Sequence, residues 1–173
     1  RLARDFPAIP SYQREWAMAN LDLGDVLDSQ GQRVQAREPY QMAAQIQSRL
    51  TASPSDRRLG MLLRAYEQVN LGQLAPSVSE LEAALQADPP DGEAWVLAAR
   101  ILARAAQAAT TAEASHLAEG AVKLLRASRG KRYFRGLWQT HDLLWRPEFA
   151  ALTSRPDFQA LMADVRQSQP LPP

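Results

Sequence analysis

The amino-acid sequence predicts an all-α protein. Its 30 Ala and 23 Leu make up about a third of the 173 residues, whereas the β-branched residues Val, Ile and Thr number only 15. Apolar residues also recur every three or four positions over long stretches, which is the spacing of one helix face. Proline and glycine interrupt these stretches at intervals that suit helices of about 15 to 20 residues.

The composition excludes several classes of protein. The chain has 20 basic and 19 acidic residues and a net charge of +1, so nothing indicates binding to nucleic acid. The absence of cysteine excludes disulfides and thiolate chemistry. The longest apolar run, residues 94–99, is far shorter than the roughly 20 residues that span a bilayer. No secretory signal opens the sequence, and we expect a cytoplasmic protein without a membrane span. Because the sequence begins at Arg1 rather than Met, we interpret it as part of a longer protein.

Four helices are predicted in the first half of the chain. The first begins near Ser11, a candidate N-cap, and stops at Gly31; the second covers about 33–52 and tolerates Pro39 only in its first turns. The third spans about 55–71, and the fourth runs from about Pro76 to the residues before Pro89. Their apolar positions are Tyr12, Trp16, Ala19, Leu23 and Leu27; Ala36, Tyr40, Ala43, Ile46 and Leu50; Leu59, Leu62, Tyr66 and Val69; and Val78, Leu81, Ala84 and Leu85.

The second half continues with two long helices and then changes character. The fifth helix is predicted at about 91–108, and the sixth runs from Thr111, its candidate N-cap, to Ser128. Six of the 12 aromatic residues lie between Tyr133 and Phe158, where we predict short helices near 136–145, 147–153 and 156–167. Residues 168–173 are predicted to fray.

The chain contains an internal repeat with a shift of 41 residues. This shift aligns Gly31 with Gly72, and Gly24 with Ala65. It also pairs Tyr40 with Leu81 and Ala43 with Ala84. Because two antiparallel helices approach closely only where their side chains are small, the repeat predicts that the same helix packing occurs twice.

These residues resemble the tetratricopeptide repeat (TPR), a helix-turn-helix unit with a Leu-Gly pair, aromatic positions and small residues at fixed spacing. The first unit matches at Leu23, Gly24, Leu27, Ala36, Tyr40 and Ala43, and the second, more loosely, at Ala65, Gln68, Ser77, Leu81, Ala84 and Pro89. A third unit starts with Trp95, Ala98, Ala99 and Leu102 and has a longer connection at residues 108–112. The resemblance implies a right-handed superhelix of three TPR-like pairs over residues 11–128, closed by a helical cap at 129–167.

Two segments resemble a narrower group, the TPR arrays of large bacterial serine/threonine kinases, planctomycete ones especially. Residues 4–12 are similar to the link that precedes repeats in those arrays, so we interpret residues 1–10 as a linker. Residues 144–161 are similar to the segment that ends them. An ordinary TPR protein is nearly as good a match. The kinase resemblance implies a catalytic domain upstream, since this chain has no Gly-rich phosphate loop, His-Arg-Asp triplet or Asp-Phe-Gly.

Few residues suggest chemistry. His116 and His141 lie 25 residues apart without metal-ligand spacing, and His116 is expected to be a solvated helix residue. His141 and Asp142 could form an acid–base pair, but neighbouring residues on a helix point apart, so a structural role is favoured. Asp22, Asp25 and Asp28 could coordinate a cation or grip a basic peptide, although a solvated polar face is the favoured interpretation. The basic run 129–135 is interpreted as a helix-terminal turn rather than a single-strand nucleic-acid platform. Trp138 and Trp145 are expected in the core, and no catalytic, cofactor-binding or metal-binding residue is predicted.

The TPR resemblance also implies a concave groove lined by the first helix of each pair. The candidate partner-binding residues are Asp25, Asp28, Tyr66, Asn70, Glu93, Arg100 and Arg104. Asn70 would bond a peptide backbone, and Arg100 and Arg104 would hold a carboxylate. The two-carboxylate clamp of chaperone-binding TPRs is not expected, since it needs more Asn and Lys.

The predicted function is protein–protein interaction or scaffolding, with a peptide or partner protein in the groove. The alternative is a purely structural spacer or assembly subunit that positions a neighbouring domain and has no groove ligand. Charge reversal at Arg100 and Arg104 is expected to separate the two, since only a receptor would be affected. An enzyme is not predicted, because no nucleophile is paired with a base.

Overall fold

The computed structural model describes residues 9–46, 53–86, 91–130 and 146–167. Every regular element within these ranges is helical and none is a β-strand, which confirms the all-α fold class. The predicted helix at 136–145, the tail at 168–173, most of the linker at 1–10 and the residues Leu50, Trp138, His141 and Trp145 lie outside the described residues. None of the described helices combines the length and apolar character needed to cross a membrane.

The described helices follow the predicted pattern closely. They are α1 (Pro10–Ser29), α2 (Arg33–Ile46), α3 (Pro54–Asn70), α4 (Leu74–Gln86), α5 (Gly92–Ala108), α6 (Thr111–Gly130), a 3₁₀ helix (Pro147–Leu152) and α7 (Pro156–Gln167). Two predicted N-caps are wrong. The N-cap of α1 is Ile9, because Pro10 already occupies the first helical position, and Thr111 is itself helical, preceded by Thr110.

The turns after α1 and α3 are built alike. Gly31 and Gly72 have φ angles of 77° and 78°, in the left-handed region that glycine adopts without strain. The Gly31 amide donates to the Asp28 carbonyl (2.9 Å), and the Gly72 amide donates to the Val69 carbonyl (3.1 Å). The next amide in each turn, from Gln32 or Gln73, donates to the carbonyl five residues earlier at 2.9 Å. Both helices therefore end in the same glycine-dependent Schellman motif.

These turns confirm the internal repeat at the level of backbone geometry. α1 and α3 end 41 residues apart, at Ser29 and Asn70, and α2 and α4 begin 41 residues apart, at Arg33 and Leu74. Buried positions also correspond: Leu21 with Leu62, Ala36 with Ser77, Tyr40 with Leu81, and Ala43 with Ala84. Residues 10–86 thus contain two copies of one helical hairpin.

The face of α1 that is buried in the fold differs from the apolar face that the sequence pattern predicts. The buried residues of α1 are Gln13, Ala17, Leu21, Gly24 and Asp25. Ala19 and Leu23 are instead exposed, and Tyr12, Trp16 and Leu27 are only partly buried. Because Ala17 and Gly24 are small, this face lets α2 approach closely, which the bulkier face cannot do.

The third hairpin, α5–α6, has a shorter connection than predicted. Only Ala109 and Thr110 separate the two helices, so the expected long connection at 108–112 is wrong. Alanines line much of the buried face of α5, which allows α6 to lie close to it. Ala109, the residue after α5, has φ −83° and ψ 167°, so this turn starts from extended backbone rather than from a left-handed glycine.

The C-terminal helices pack against the third hairpin. Phe149 and Leu152 of the 3₁₀ helix and Phe158 and Leu161 of α7 are all at most 2% exposed, and they share one apolar cluster with α5 and α6. The rings of Phe149 and Phe158 lie 6.4 Å apart at their centroids. The α6 positions Ala121, Val122 and Leu125 belong to the same cluster, with Leu117 and Leu124 partly buried beside it.

The chain divides into two compact units, Arg1–Pro89 and Pro90–Pro173. The first contains the two repeated hairpins, and the second contains the third hairpin with the C-terminal helices. The division falls within the region 11–128 that the sequence assigns to one array. The superhelical stacking of three hairpins stays a prediction.

Candidate functional site

A buried polar cluster in the first unit joins three helices at Asp25. The Oδ1 atom of Asp25 accepts hydrogen bonds from the hydroxyls of Tyr40 on α2 (3.0 Å) and Tyr66 on α3 (2.6 Å). All three side chains are buried, and the two tyrosine rings lie 5.7 Å apart at their centroids. Because a buried carboxylate needs donors to offset its lost hydration, the hydroxyls stabilise Asp25 in the interior.

Gly24 explains how Tyr40 reaches this cluster. A Cβ atom at position 24 would meet the Tyr40 ring, with its Cζ only 2.8 Å away. The ring therefore lies directly against the α1 backbone, which places its hydroxyl beside Asp25, the next residue. This confirms the predicted close approach of the paired helices at Gly24.

The three aspartates of α1 occupy different environments, so the predicted solvated face is wrong for two of them. Asp22 is exposed, Asp25 is buried, and the side chain of Asp28 is only 9% exposed and lies 3.5 Å from Arg33. Successive residues of an α-helix are about 100° apart around the helix axis. Residues three positions apart therefore differ in direction by about 60°, so the three aspartates do not share one direction. Among the described residues, no group of three or more His, Asp or Glu side chains could hold a metal ion.

A second link between α1 and α3 lies near their N-termini. Arg14 on α1 donates to Oδ1 of Asp56 on α3 at 2.6 Å, and Asp56 is also bonded by the Ser53 hydroxyl at 2.7 Å. Burial by itself would raise the pKa of Asp56, but these hydrogen bonds and the charge of Arg14 outweigh it and hold the pKa below its usual value. Asp56 therefore stays ionised and ties two helices together.

Arg14 precedes Asp25 along α1, and their partners Asp56 and Tyr66 follow in the same order along α3. The two helices are therefore parallel. Asp25 and Tyr66 occupy equivalent positions of the two hairpins, since they are 41 residues apart. One turn further on lie Asp28 and Asn70, both partly buried, and the Asn70 amide donates to the Tyr66 carbonyl at 2.8 Å. The structure thus brings four of the seven predicted groove residues to the C-terminal halves of two adjacent helices.

The predicted carboxylate-binding residue Arg100 is buried in the second unit and already holds a carboxylate. Its guanidinium is paired with Glu148 of the 3₁₀ helix, and the two side chains are 2% and 1% exposed. Burial alone would raise the pKa of Glu148, but the charge of Arg100 and hydrogen bonds to the carboxylate more than offset it and lower the pKa. The buried pair is therefore ionised.

The same segment is held through its backbone as well. Gln107, also on α5, donates from Nε2 to the carbonyls of Pro147 (3.1 Å) and Glu148 (3.0 Å). Arg100 is consequently part of the interior of this unit rather than of an open groove. Charge reversal there would put two carboxylates together in the interior, so it does not separate a receptor from a spacer.

The remaining candidates in the second unit are scattered. Glu93 is exposed in the first turn of α5, and Arg104 is partly buried one turn after Arg100. Arg129, the first residue of the basic run, forms an ion pair with Asp164 of α7 at 2.6 Å, whereas residues 131–135 lie outside the described ranges. His116 is exposed on α6.

Sequence reasoning missed three of the residues that matter most here. The repeat pattern predicts a packing position for Tyr40 but no partnership with Asp25, and no sequence pattern singles out Asp56 or Glu148. The shift of 41 between Asp25 and Tyr66 could have indicated their contact, because equivalent residues of adjacent repeats often lie side by side. Nothing in the local sequence relates Glu148 to Arg100, 48 residues earlier.

The described residues define an all-helical protein with a duplicated hairpin. Comparison with protein-family models, with curated proteins and with solved structures gives no match to this chain.

Proposed function

We propose that this chain is a protein-interaction module of TPR-like helical hairpins, without catalytic activity of its own. The observation that carries the proposal is the 2.6 Å contact between Asp25 and Tyr66, which are equivalent residues of two successive hairpins. When equivalent first helices lie side by side, their side chains form a continuous surface, and helical-repeat proteins use such surfaces to bind partners.

Several contacts support the TPR relationship within this proposal. Gly24 lies against Tyr40, and Ala36 and Ala43 are buried, at the positions where the repeat pattern has small and aromatic residues. Leu23 departs from the pattern, because its side chain is 49% exposed rather than packed between helices. Association with a bacterial kinase remains part of the proposal through the resemblance of the chain ends alone.

The partner-binding surface in the first unit would include Asp28 and Asn70. Both are partly buried, and they follow the Asp25–Tyr66 contact by one helical turn on α1 and α3. In the second unit, Glu93 and Arg104 are the candidates, whereas Arg100 lies in the interior and is not part of this surface.

A structural spacer is the second candidate function. This function is favoured because three of the seven candidate groove residues are buried and contact other residues of the chain: Asp25, Tyr66 and Arg100. A spacer uses its polar residues to hold helices together and needs none of them for a ligand.

Site-specific photo-cross-linking in cells that express variants of this chain would separate the two functions. A photoreactive residue replaces Asp28 in one variant and Asn70 in another, with exposed Gln41 and Ala83 of α2 and α4 as control positions. A receptor should give a discrete protein adduct from positions 28 and 70 that the controls lack. Equal adducts from all four positions, or none, would favour the spacer.

A further inference from the structure

The outward face of α1 is more apolar than its own fold requires. Two of its larger apolar side chains are about half exposed, Leu23 at 49% and Val26 at 52%, and Ala19 is exposed between them and the partly buried Trp16. Residues 16, 19, 23 and 26 follow one another at spacings of three and four, so they share one side of the helix. We call these four residues the α1 outer face.

The second hairpin provides an internal comparison for this face. Shifting by 41 residues places Arg57, Gly60, Arg64 and Glu67 of α3 at the positions of Trp16, Ala19, Leu23 and Val26. Arg64 is exposed and pairs with Glu80 at 2.7 Å, as a surface residue does. The same hairpin therefore folds with charged residues at three of these positions, so packing within the hairpin does not explain why α1 has apolar ones.

The exposed charges of α1 are of one sign. Glu15 and Asp22 are exposed along one border of the outer face, and they are the only charged residues of α1 that are exposed. Arg14, the one basic residue of α1, is directed to Asp56 of α3. A partner seated here would meet an apolar strip with acidic residues along one border.

We propose that the α1 outer face binds an amphipathic helix whose apolar stripe has Lys or Arg along its border. The apolar stripe would cover Trp16, Leu23 and Val26, as in other complexes where a helix docks on an apolar surface. Basic residues along one side of the bound helix would lie beside Glu15 and Asp22, and electrostatic complementarity of this kind selects among apolar partners. This inference names a partner class and so rests on the proposed interaction function, but it concerns a different surface from Asp28 and Asn70.

The test uses the full chain and two synthetic helical peptides. Both carry leucines at a spacing of three and four residues; one has flanking lysines and the other has glutamates at the same positions. Fluorescence anisotropy of the labelled peptides should show saturable binding of the lysine peptide, at least about tenfold tighter than the glutamate peptide, with affinity falling as salt rises. Equal binding of both peptides, or of neither, would overturn the proposal.

Variants that copy the second hairpin locate the site. Leu23→Arg with Val26→Glu introduces the residues found at positions 64 and 67 and leaves the net charge unchanged, and it should weaken binding of the lysine peptide at least about tenfold. Leu71→Gln, which changes another exposed leucine of the same unit, is the matched control and should bind as the wild type does. Unchanged affinity in the double variant would exclude this face.

A second variant shows whether weaker binding results from misfolding, and a second measurement shows whether a second copy of the chain covers the α1 outer face. Glu15→Gln with Asp22→Asn keeps the apolar residues and should remove most of the preference for lysine over glutamate. Sedimentation of the wild type without peptide tests self-association. A dimer that the Leu23→Arg, Val26→Glu variant abolishes would show that a second copy, and not a basic helix, covers the face. Photo-cross-linking at positions 28 and 70 succeeds or fails independently of these outcomes.

Discussion

Gly24 and Asp25 are adjacent residues with complementary roles. Gly24 lets the Tyr40 ring lie against the α1 backbone, and Asp25 accepts a hydrogen bond from the hydroxyl of that ring. The same carboxylate then bonds Tyr66 of the next hairpin. One pair of residues therefore sets both the spacing within the first hairpin and its contact with the second.

Replacing Gly24 with Leu should lower the free energy of unfolding by about 1 to 3 kcal/mol or more, because the side chain would displace the Tyr40 ring from α1. Asp25 would also lose the hydrogen bond that it accepts from the Tyr40 hydroxyl. Urea unfolding followed by circular dichroism measures the loss, and Ala19→Leu, which adds bulk on the exposed face of the same helix, is the control. If Gly24→Leu unfolds at the same urea concentration as the wild type, Tyr40 does not pack against α1 at Gly24.

At the scale of elements, α1 and α3 are held parallel by two polar contacts, one towards each end. The Arg14–Asp56 pair differs from an ordinary surface ion pair, because the Asp56 side chain is only 4% exposed while that of Arg14 is 44% exposed. Asp56 also accepts a bond from Ser53, the N-cap of α3, whose hydroxyl in turn accepts from the Asp56 amide at 3.1 Å. One carboxylate thus stabilises both a helix start and a contact between helices.

The lowered pKa of Asp56 predicts an acid-sensitive contact. A carboxyl group with a depressed pKa stabilises the fold above its unfolded pKa of about 4, and this stabilisation is lost as the pH falls through the folded value. Asp56→Asn should therefore cost roughly 0.5 to 2 kcal/mol at pH 7, with the difference from wild type shrinking as the pH drops below about 4. Melting temperatures between pH 7 and pH 2.5 test this.

Arg14→Gln provides the companion measurement for the same contact. It removes the positive partner but keeps the Asp56 carboxylate, so acid destabilisation should begin at a higher pH than in the wild type. A constant difference between Asp56→Asn and wild type over the whole pH range would contradict this account of the contact.

At the scale of the whole molecule, the C-terminal helices complete the second unit. They bury six apolar side chains against α5 and α6, and they supply the carboxylate that Arg100 needs in the interior. Burial of each large apolar side chain contributes about 1.5 to 3 kcal/mol before the entropy of ordering is subtracted. Loss of Glu148 would in addition leave a buried cation without its carboxylate, which is costly.

Truncation after Gly130 should therefore give a chain that aggregates or melts at a much lower temperature, although all three hairpins remain. Differential scanning calorimetry and sedimentation are the measurements. A chain ending at Gln167, where α7 ends, is the control and should melt as the full chain does. A soluble 1–130 chain with a cooperative transition at the wild-type temperature would show that the C-terminal helices are not needed to cover α5 and α6.

The sequence by itself determined the fold class, the position of nearly every described helix and the 41-residue repeat. These follow from local effects: helix propensity, proline and glycine punctuation, and small residues at fixed spacing. Tertiary structure alone decided which face of α1 packs, because Gly24 and Ala17 permit a close approach that outweighs the stronger apolar pattern of Trp16 and Leu23. It also decided that Arg100 pairs with Glu148, since a contact between residues 48 positions apart depends on how the chain folds back and leaves no periodic trace in the sequence.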